Sequence, residues 1–303
     1  PTGVGKTGVA LELAERLHAE IVGADSMQIY RLMDIGTAKP TLEERSRVAH
    51  HVFDIRNPDE EYSAADYARD AARAIRNVHE RAKLPLLVGG TGLYIQALVY
   101  GIFEGPGRDE TYREHLRELA EEYGNFAIYQ KLETVDPLTA RRLHPNDLVR
   151  IIRALEVFHL TGIPISAYQA TATTPLAAFA PCFLVLTAER DVLYDRIEAR
   201  VDAMIAAGLV EEVQGLLQQG YHAELNSMKS LGYKEIAAFL QGQTDLPAAV
   251  ALIKRNSRHY AKRQLTWFRK YQHAVWIQRE PGPSSDRLLA RCLKLIETWR
   301  ANL

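Results

Sequence analysis

Cysteine is scarce: Cys182 and Cys292 are the only two, and neither sits in a C-x-x-C or a Cys/His cluster. A disulfide framework is excluded, and a reducing, cytoplasmic setting is the expectation. An excess charge of either sign is also missing. With 37 Lys and Arg against 38 Asp and Glu the net charge is -1, so any polyanion site must be a local patch. No apolar run approaches the roughly 20 residues that cross a bilayer. No charged n-region followed by an apolar h-region opens the chain, so neither membrane insertion nor secretion is expected. His-Glu-x-x-His and other clustered ligand sets are absent, and no structural metal is assigned. What is present is an ordinary globular composition, 47% hydrophobic and 25% charged, over 303 residues. That length sits at the upper edge of one hydrophobic core, so one large domain or a core with an insertion is expected.

Helical and extended signals alternate, which predicts an α/β fold with a mostly parallel sheet. Val9, Leu13 and Leu17 recur near helical period from Thr7 onward. The apolar run Ile21 to Ala24 stops at Asp25. Thr41 and Glu44 read as a capping box, Val48 to Ile55 as a strand, and Ser63 with Asp66 as another helix start. Leu84 to Val88 is a buried-strand run broken by Gly89-Gly90-Thr91-Gly92. From about Asp109 the rhythm becomes helical (Tyr112–Tyr123, Phe126–Val135, Leu148–Leu160), and a Thr/Ala/Pro-rich stretch, Ala170 to Pro181, reads as a return linker. The expected organisation is therefore a core over residues 1–108 and 182–303, with a helical insertion over 109–181. In the second core segment a strand runs from Cys182 to Thr187. A long helical region then carries Leu193, Ile197, Val201, Ile205 and Leu209, and Ala274 to Ile277 and Ser285 to Arg300 supply a last strand and helix.

Pro1-Thr2-Gly3-Val4-Gly5-Lys6-Thr7 matches the back of a P-loop, G-x-x-x-x-G-K-[ST], the chain opening one residue into the pattern. G-K-[ST] alone arises by chance in about one chain of this length in seven, so the context decides: here it opens an amphipathic helix in a βα alternation. Glycines let backbone N–H groups turn inward around a phosphate, and the helix N-terminus adds its dipole. Lys6 would neutralise phosphate oxygens and the Thr7 hydroxyl would hold Mg²⁺. Asp25 ends the next strand, where a parallel sheet gathers ligands; a general base and a turn-forming Asp are about equally supported by spacing. Gly89 to Gly92 favours a tight strand-to-helix turn, and no Asp ends that strand as a Walker B element would. Between Leu246 and Arg279 there is no acidic residue, while Arg255, Arg258 and Lys262 share one helical face with Tyr260 and Trp267 nearby. A basic face with aromatics suits a phosphate backbone and unstacked bases. A second basic group, Arg141, Arg142, Arg150 and Arg153, lies in the insertion.

The ordered motifs Asp25-Ser26-Met27-Gln28-Ile29-Tyr30, Asp34-Ile35-Gly36-Thr37-Ala38-Lys39-Pro40, Gly89-Gly90-Thr91-Gly92-Leu93-Tyr94, Arg153-Ala154-Leu155-Glu156-Val157, Gly232-Tyr233-Lys234-Glu235 and Lys262-Arg263-Gln264-Leu265-Thr266-Trp267, with the loop before them, resemble the bacterial tRNA dimethylallyltransferases. The resemblance spans nearly the whole chain. It implies a P-loop NTPase-like core with a helical insertion that grips the tRNA anticodon stem-loop. The implied reaction moves a dimethylallyl group from dimethylallyl diphosphate to N6 of the adenine 3′ of the anticodon, in tRNAs reading codons that begin with U. By the resemblance, residues Pro1, Thr2, Gly3, Val4, Gly5, Lys6 and Thr7 hold the donor's diphosphate, with Mg²⁺ at Thr7, and Arg200 closes over the same group. Asp25 is the implied general base. Gln28 is implied to read the flipped base's surroundings, and Ser26, Met27, Thr91, Arg113, the segment Val149, Arg150, Ile151, Ile152, Arg153, and Lys229 and Lys234 are implied to meet the tRNA. Arg258, Lys262 and Arg263 join them from the basic face. A monomer without an obligatory protein partner is expected. The competing reading is a P-loop small-molecule kinase using ATP, with the insertion as its lid; the missing Walker B carboxylate and the acid-free basic stretch weigh against it.

Overall fold

Gly5, left-handed at φ 92°, caps helix α1 (Lys6–Leu17), and left-handed His18 ends it. The structure is a computed structural model that describes residues 1–303 apart from Glu104, Ala172, Pro281, Pro283, Ser284 and Leu303. Strand β1 (Ala19–Ala24) follows at once and is buried along its whole length, as a strand covered on both faces must be. The Thr41/Glu44 capping box opens α2 (Leu42–Arg47), as its spacing predicts. The strand expected over Val48 to Ile55 is cut to β2 (His50–His51). Val52 and Asp54 take positive φ there, and the Asp54 carboxylate turns aside to pair with Lys39 and Arg45. The Ser63/Asp66 box opens α3 (Ala64–Glu80), and β3 (Leu84–Gly89) and α4 (Gly92–Tyr100) come next. Strand β1 lies between β2 and β3, parallel to both, with Ala24 opposite Gly89.

The described chain divides into two compact units, Pro1–Val99 with Leu176–Leu303, and Tyr100–Pro175. The second unit is helical: α5 (Glu110–Tyr123), α6 (Asn125–Val135), α7 (Pro137–Ala140), α8 (Leu148–Thr161) and α9 (Ile165–Ala170). Leu116, Ile128, Leu132, Ile151 and Leu155 form its core. Beside that core the fully buried Glu156 accepts bonds from Arg113 Nε and Nη2 (2.6 and 2.7 Å), Arg153 Nη1 (2.5 Å) and the Asp109 backbone N–H (2.8 Å). Burial opposes ionisation of Glu156, but the two guanidinium groups outweigh it and hold the carboxyl at about 2, below its ordinary 4.5. With the folded value depressed, this contribution is complete above about pH 4.5 and is lost as pH falls toward 2. Glu156→Ala strands two arginine charges and is expected to destabilise this unit by about 3–5 kcal/mol at neutral pH. Denaturant melts should show that gap closing as the pH approaches 2; a gap that holds there would disprove the ionic account.

The return stretch after α9 is not loose throughout. Leu176 and Phe179 pack on the core of the first unit, and Phe179 sits edge-on to His79 at 5.3 Å. Ala172, within the expected linker, lies outside the described residues. The first unit then continues with β4 (Leu184–Ala188), α10 (Arg190–Ala206), α11 (Leu209–Gln218), α12 (Tyr233–Leu240), α13 (Leu246–Phe268), β5 (Val275–Arg279) and α14 (Asp286–Ala301). The helix expected to run through Leu209 is broken: α10 ends at Ala206, and left-handed Gly208 turns the chain into α11. Strands β4 and β5 pair in parallel, Leu184 opposite Val275. The fold is thus mixed α/β, and among the described residues its parallel strands form two small sheets where one was expected. Side chains join them without a backbone ladder, since Leu84, Leu86, Leu184 and Leu186 meet Val9, Leu13 and Leu289 in one apolar cluster. Among the described residues no helix is long and apolar enough to cross a membrane.

Candidate active site

The glycines of the opening loop are required by what surrounds them. Gly3 is left-handed (φ 78°), and a Cβ there would lie 2.7 Å from Ile197 of α10. Arg196 Nε donates to the Gly3 carbonyl at 2.9 Å, and Arg200 Nη1 donates to Thr2 Oγ1 at 3.0 Å. One face of α10 is therefore docked on the loop through two arginines and an isoleucine. Lys6, in the first turn of α1, donates to the Pro1 carbonyl at 2.8 Å. Burial first, and then the nearby Arg200, push the Lys6 ammonium down to about 8, with Asp25 acting in the opposite direction. Burial likewise lowers Arg200, opposed by Asp25. Two half-buried cations thus meet at the loop with one carboxylate near them, an arrangement that favours an incoming anion.

Asp25 directly follows β1 and accepts the Met27 backbone N–H at 2.9 Å. The Gly89 to Gly92 turn is pressed against it. Gly90 and Thr91 N–H groups both donate to the Ala24 carbonyl (3.1 and 3.0 Å), and Thr91 Oγ1 accepts from the Ser26 N–H at 2.9 Å. Cβ atoms at Gly89, Gly90 and Gly92 would collide with Ala24, Gln264 and Trp267. These glycines are there so that other parts of the chain can approach closely. Gln264 ties the two turns together: its Oε1 accepts the Thr2 N–H at 2.7 Å and its Nε2 donates to the Gly90 carbonyl at 2.9 Å. Tyr260 lies one turn earlier on α13; burial first, and then the nearby Asp25, push its hydroxyl up to about 12, with Thr91 and Gln264 acting in the opposite direction.

A cavity of about 430 Å³ is lined by Thr2, Asp25, Ser26, Met27, Arg200 and Tyr260, and by Lys229, Lys234 and Arg263. Gln28 is not among the lining residues, and its amide nitrogen donates to the Thr37 and Ala38 carbonyls (3.0 and 3.1 Å). Other residues singled out from the sequence lie elsewhere. Arg258 pairs with Glu198 and Lys254 with Asp202, so acids on α10 compensate the stretch that carries none of its own. Lys262 is exposed. Arg113 and Arg153 are engaged with Glu156 in the helical unit, and Arg150 pairs with Asp147. Ile151 and Ile152 correct the reading of their segment: both are buried in the core of that unit, which leaves Val149 and Arg150 exposed and Arg153 half-buried against Glu156.

Glu212 of α11 went unmarked in the sequence. Its carboxylate accepts the N–H groups of Asp34, Ile35 and Gly36 (2.9, 2.8 and 3.1 Å) and the Tyr233 hydroxyl (2.5 Å), fixing the Gly36-Thr37 wall of the cavity. No local signal announces it, because the three N–H groups it accepts lie more than 170 residues away along the chain. Arg196 was missed for the same reason, its partner Gly3 standing 193 residues away.

An anion cradle and a carboxylate facing one cavity at the carboxyl end of a parallel strand define an α/β protein of the group-transfer kind. The family model described as IPP transferase matches residues 28–271. The tRNA dimethylallyltransferase of Geobacter metallireducens is 52% identical over 278 residues, covering 92% of this chain and 90% of that protein. That of Thermotoga maritima is 53% identical over 276 residues, 91% and 89%. Among solved structures, the full-length tRNA isopentenylpyrophosphate transferase of Bacillus halodurans superposes with a TM-score of 0.71 at 42% identity, covering 100% of this chain and 96% of that one. A eukaryotic dimethylallyltransferase captured acting on tRNA gives a TM-score of 0.76 at 28% identity, covering 98% and 78%. The chain belongs to the IPP transferase family.

Proposed function

We propose that this chain transfers the dimethylallyl group of dimethylallyl diphosphate to N6 of the adenine 3′ of the anticodon, in tRNAs that read codons beginning with U. The observation that carries the reading is the single cavity holding Thr2, Arg200 and Asp25 together, an anion-holding end beside a carboxylate. In the reaction the N6 lone pair attacks the allylic carbon. The carbon–oxygen bond breaks with its electron pair going to diphosphate, and the Asp25 carboxylate takes the N6 proton. The opening loop acts as a P-loop: its amides, Lys6 and Arg200 orient the diphosphate and stabilise the charge growing on it. The target base leaves its stack to enter, which costs less in a single-stranded anticodon loop than in a duplex.

Mg²⁺ fits this site as a partner of the donor. Among the described residues no three His, Cys, Asp or Glu gather as a cage, and Thr7 in the first turn of α1 offers one hard hydroxyl oxygen. That is the sparse donor set of an ion that takes most of its ligands from phosphate and water. When bound, it supplies charge neutralisation on the leaving diphosphate. Around the cavity mouth Lys229, Lys234 and Arg263 meet the anticodon loop. In the helical unit Val149, Arg150 and Arg153 supply further contacts to the tRNA.

The test is mass spectrometry of tRNA nucleosides after incubation with Mg²⁺ and dimethylallyl diphosphate. One isopentenyl addition at the adenine 3′ of the anticodon is the expected result. No addition, together with a rise in melting temperature caused by ATP and not by dimethylallyl diphosphate, would replace this reading with a kinase.

A further inference from the structure

The cavity changes character along its length. Helices α10 and α13 form two of its walls, and the ion pairs Glu198–Arg258 and Asp202–Lys254 fix their register as antiparallel: four residues forward on one helix meet four residues back on the other. At the loop end the walls are polar, with Arg200 bonded to Thr2 and the Tyr260 hydroxyl facing the same cavity. Ile197, Val201 and Met204 of α10 line the cavity at i, i+4 and i+7, a single helical face leading away from the loop. On α13 the lining residues Tyr260, Ser257 and Ile253 step back the same way. Seven residues of helix advance about 10 Å. The far end is therefore Met204 opposite Ile253. It is closed by the core, since Val201, Ile253, Leu209 and Ala249 are buried in one cluster with Met204 packed against it.

Resting on the function proposed above, we infer that this α10/α13 row receives the hydrocarbon end of the donor, and that Met204 with Ile253 limits it to one isoprene unit. Asp25, Ser26 and Thr37 also line the cavity but come from the first hundred residues and not from these two helices. Ile197, Val201, Met204 and Ile253 suit a dimethyl terminus, and the polar groups beside them are the Ser257 hydroxyl and the Asn256 amide, which is already donating to Glu235 at 2.8 Å. A dimethylallyl chain, a zigzag of carbon–carbon bonds of about 1.5 Å each, reaches about 5 Å from the phosphate oxygen. That is about one helical turn, to the level of Val201 and Ser257. A second isoprene unit would add about the same length and run into the Met204/Ile253 layer. Methionine is a fitting stopper, because its unbranched side chain fills an irregular end without needing one exact shape.

The experiment compares dimethylallyl and geranyl diphosphates as donors for the full chain and for Met204→Ala, the product read as one or two isoprene units added to the tRNA adenine. The parent should use the short donor and discriminate strongly against the long one. In Met204→Ala the geranyl-to-dimethylallyl ratio of kcat/KM should rise tenfold or more, the scale on which pocket-filling carbons discriminate. An unchanged ratio while dimethylallyl is still transferred would overturn the inference and leave the function standing. Failure of the parent to transfer dimethylallyl at all would overturn both. Should Met204→Ala not fold, Ile253→Val and competition by unreactive thio-analogues of the two donors on the parent decide the matter. The parent must hold the geranyl analogue at least tenfold more weakly than the dimethylallyl one, and equal inhibition rejects the stopper.

Discussion

Asp25→Asn is expected to slow prenyl transfer by about 10²–10⁴-fold, the contribution of a positioned general base, while donor binding is retained. The substitution is nearly isosteric, and its amide oxygen can still accept the Met27 N–H that Asp25 Oδ1 accepts now at 2.9 Å. The turn after β1 should therefore keep its shape. What disappears is a group able to take the N6 proton as the carbon–nitrogen bond forms. The electrostatics sharpen the expectation, because Asp25 opposes the lowering of both Lys6 and Arg200. Losing its negative charge makes the cavity more attractive to a diphosphate, so donor affinity should hold or improve as the rate collapses. Single-turnover transfer to tRNA, with donor affinity from calorimetry, separates the two effects. A rate loss below about tenfold would remove Asp25 from the proton transfer.

The parts of this fold that were legible in the sequence are those whose causes are local. Thr41 with Glu44 and Ser63 with Asp66 are reciprocal caps closed within four residues, and both open helices where their spacing places them. Gly3 and Gly5 announce left-handed turns before a helix for the same reason. Distant partners wrote the rest. The stretch from Leu246 to Arg279 reads as uncompensated positive charge, yet Glu198 and Asp202 answer Arg258 and Lys254 from another helix and so set the register of the cavity walls. Val48 to Ile55 reads as a strand, but the chain leaves the sheet after His51, where Val52 and Asp54 take positive φ and Asp54 pairs with Lys39 and Arg45. Gly89-Gly90-Thr91-Gly92 reads as a tight turn, and it is one. The reason three of its residues are glycine is the approach of Ala24, Gln264 and Trp267, which no local pattern contains.

Arg200→Ala is expected to lower kcat/KM for prenyl transfer by about 10²–10³-fold, the cost of removing one preorganised donor to a developing oxyanion. The side chain is held by its bond to Thr2 Oγ1 at 3.0 Å, and the adjacent turn of α10 is pinned to the loop by Arg196 and Ile197 independently of it. The loop should therefore survive the substitution. No acid is left stranded either, since the carboxylate near Arg200 also has Lys6 beside it. Removing Arg200 also removes one cause that pushes the Lys6 ammonium down to about 8, so Lys6 becomes more fully protonated in the variant. A loss of activity then cannot be charged to a neutral Lys6 and belongs to the guanidinium itself. Arg200→Lys should recover only a small part of the rate, because a flexible ammonium cannot present the planar pair of donors that a phosphate oxygen edge accepts. Added guanidinium ion should restore part of the rate of Arg200→Ala and none of the loss in Asp25→Asn. Equal rescue of both variants, or a loss below about tenfold on removing Arg200, would take this arginine off the diphosphate.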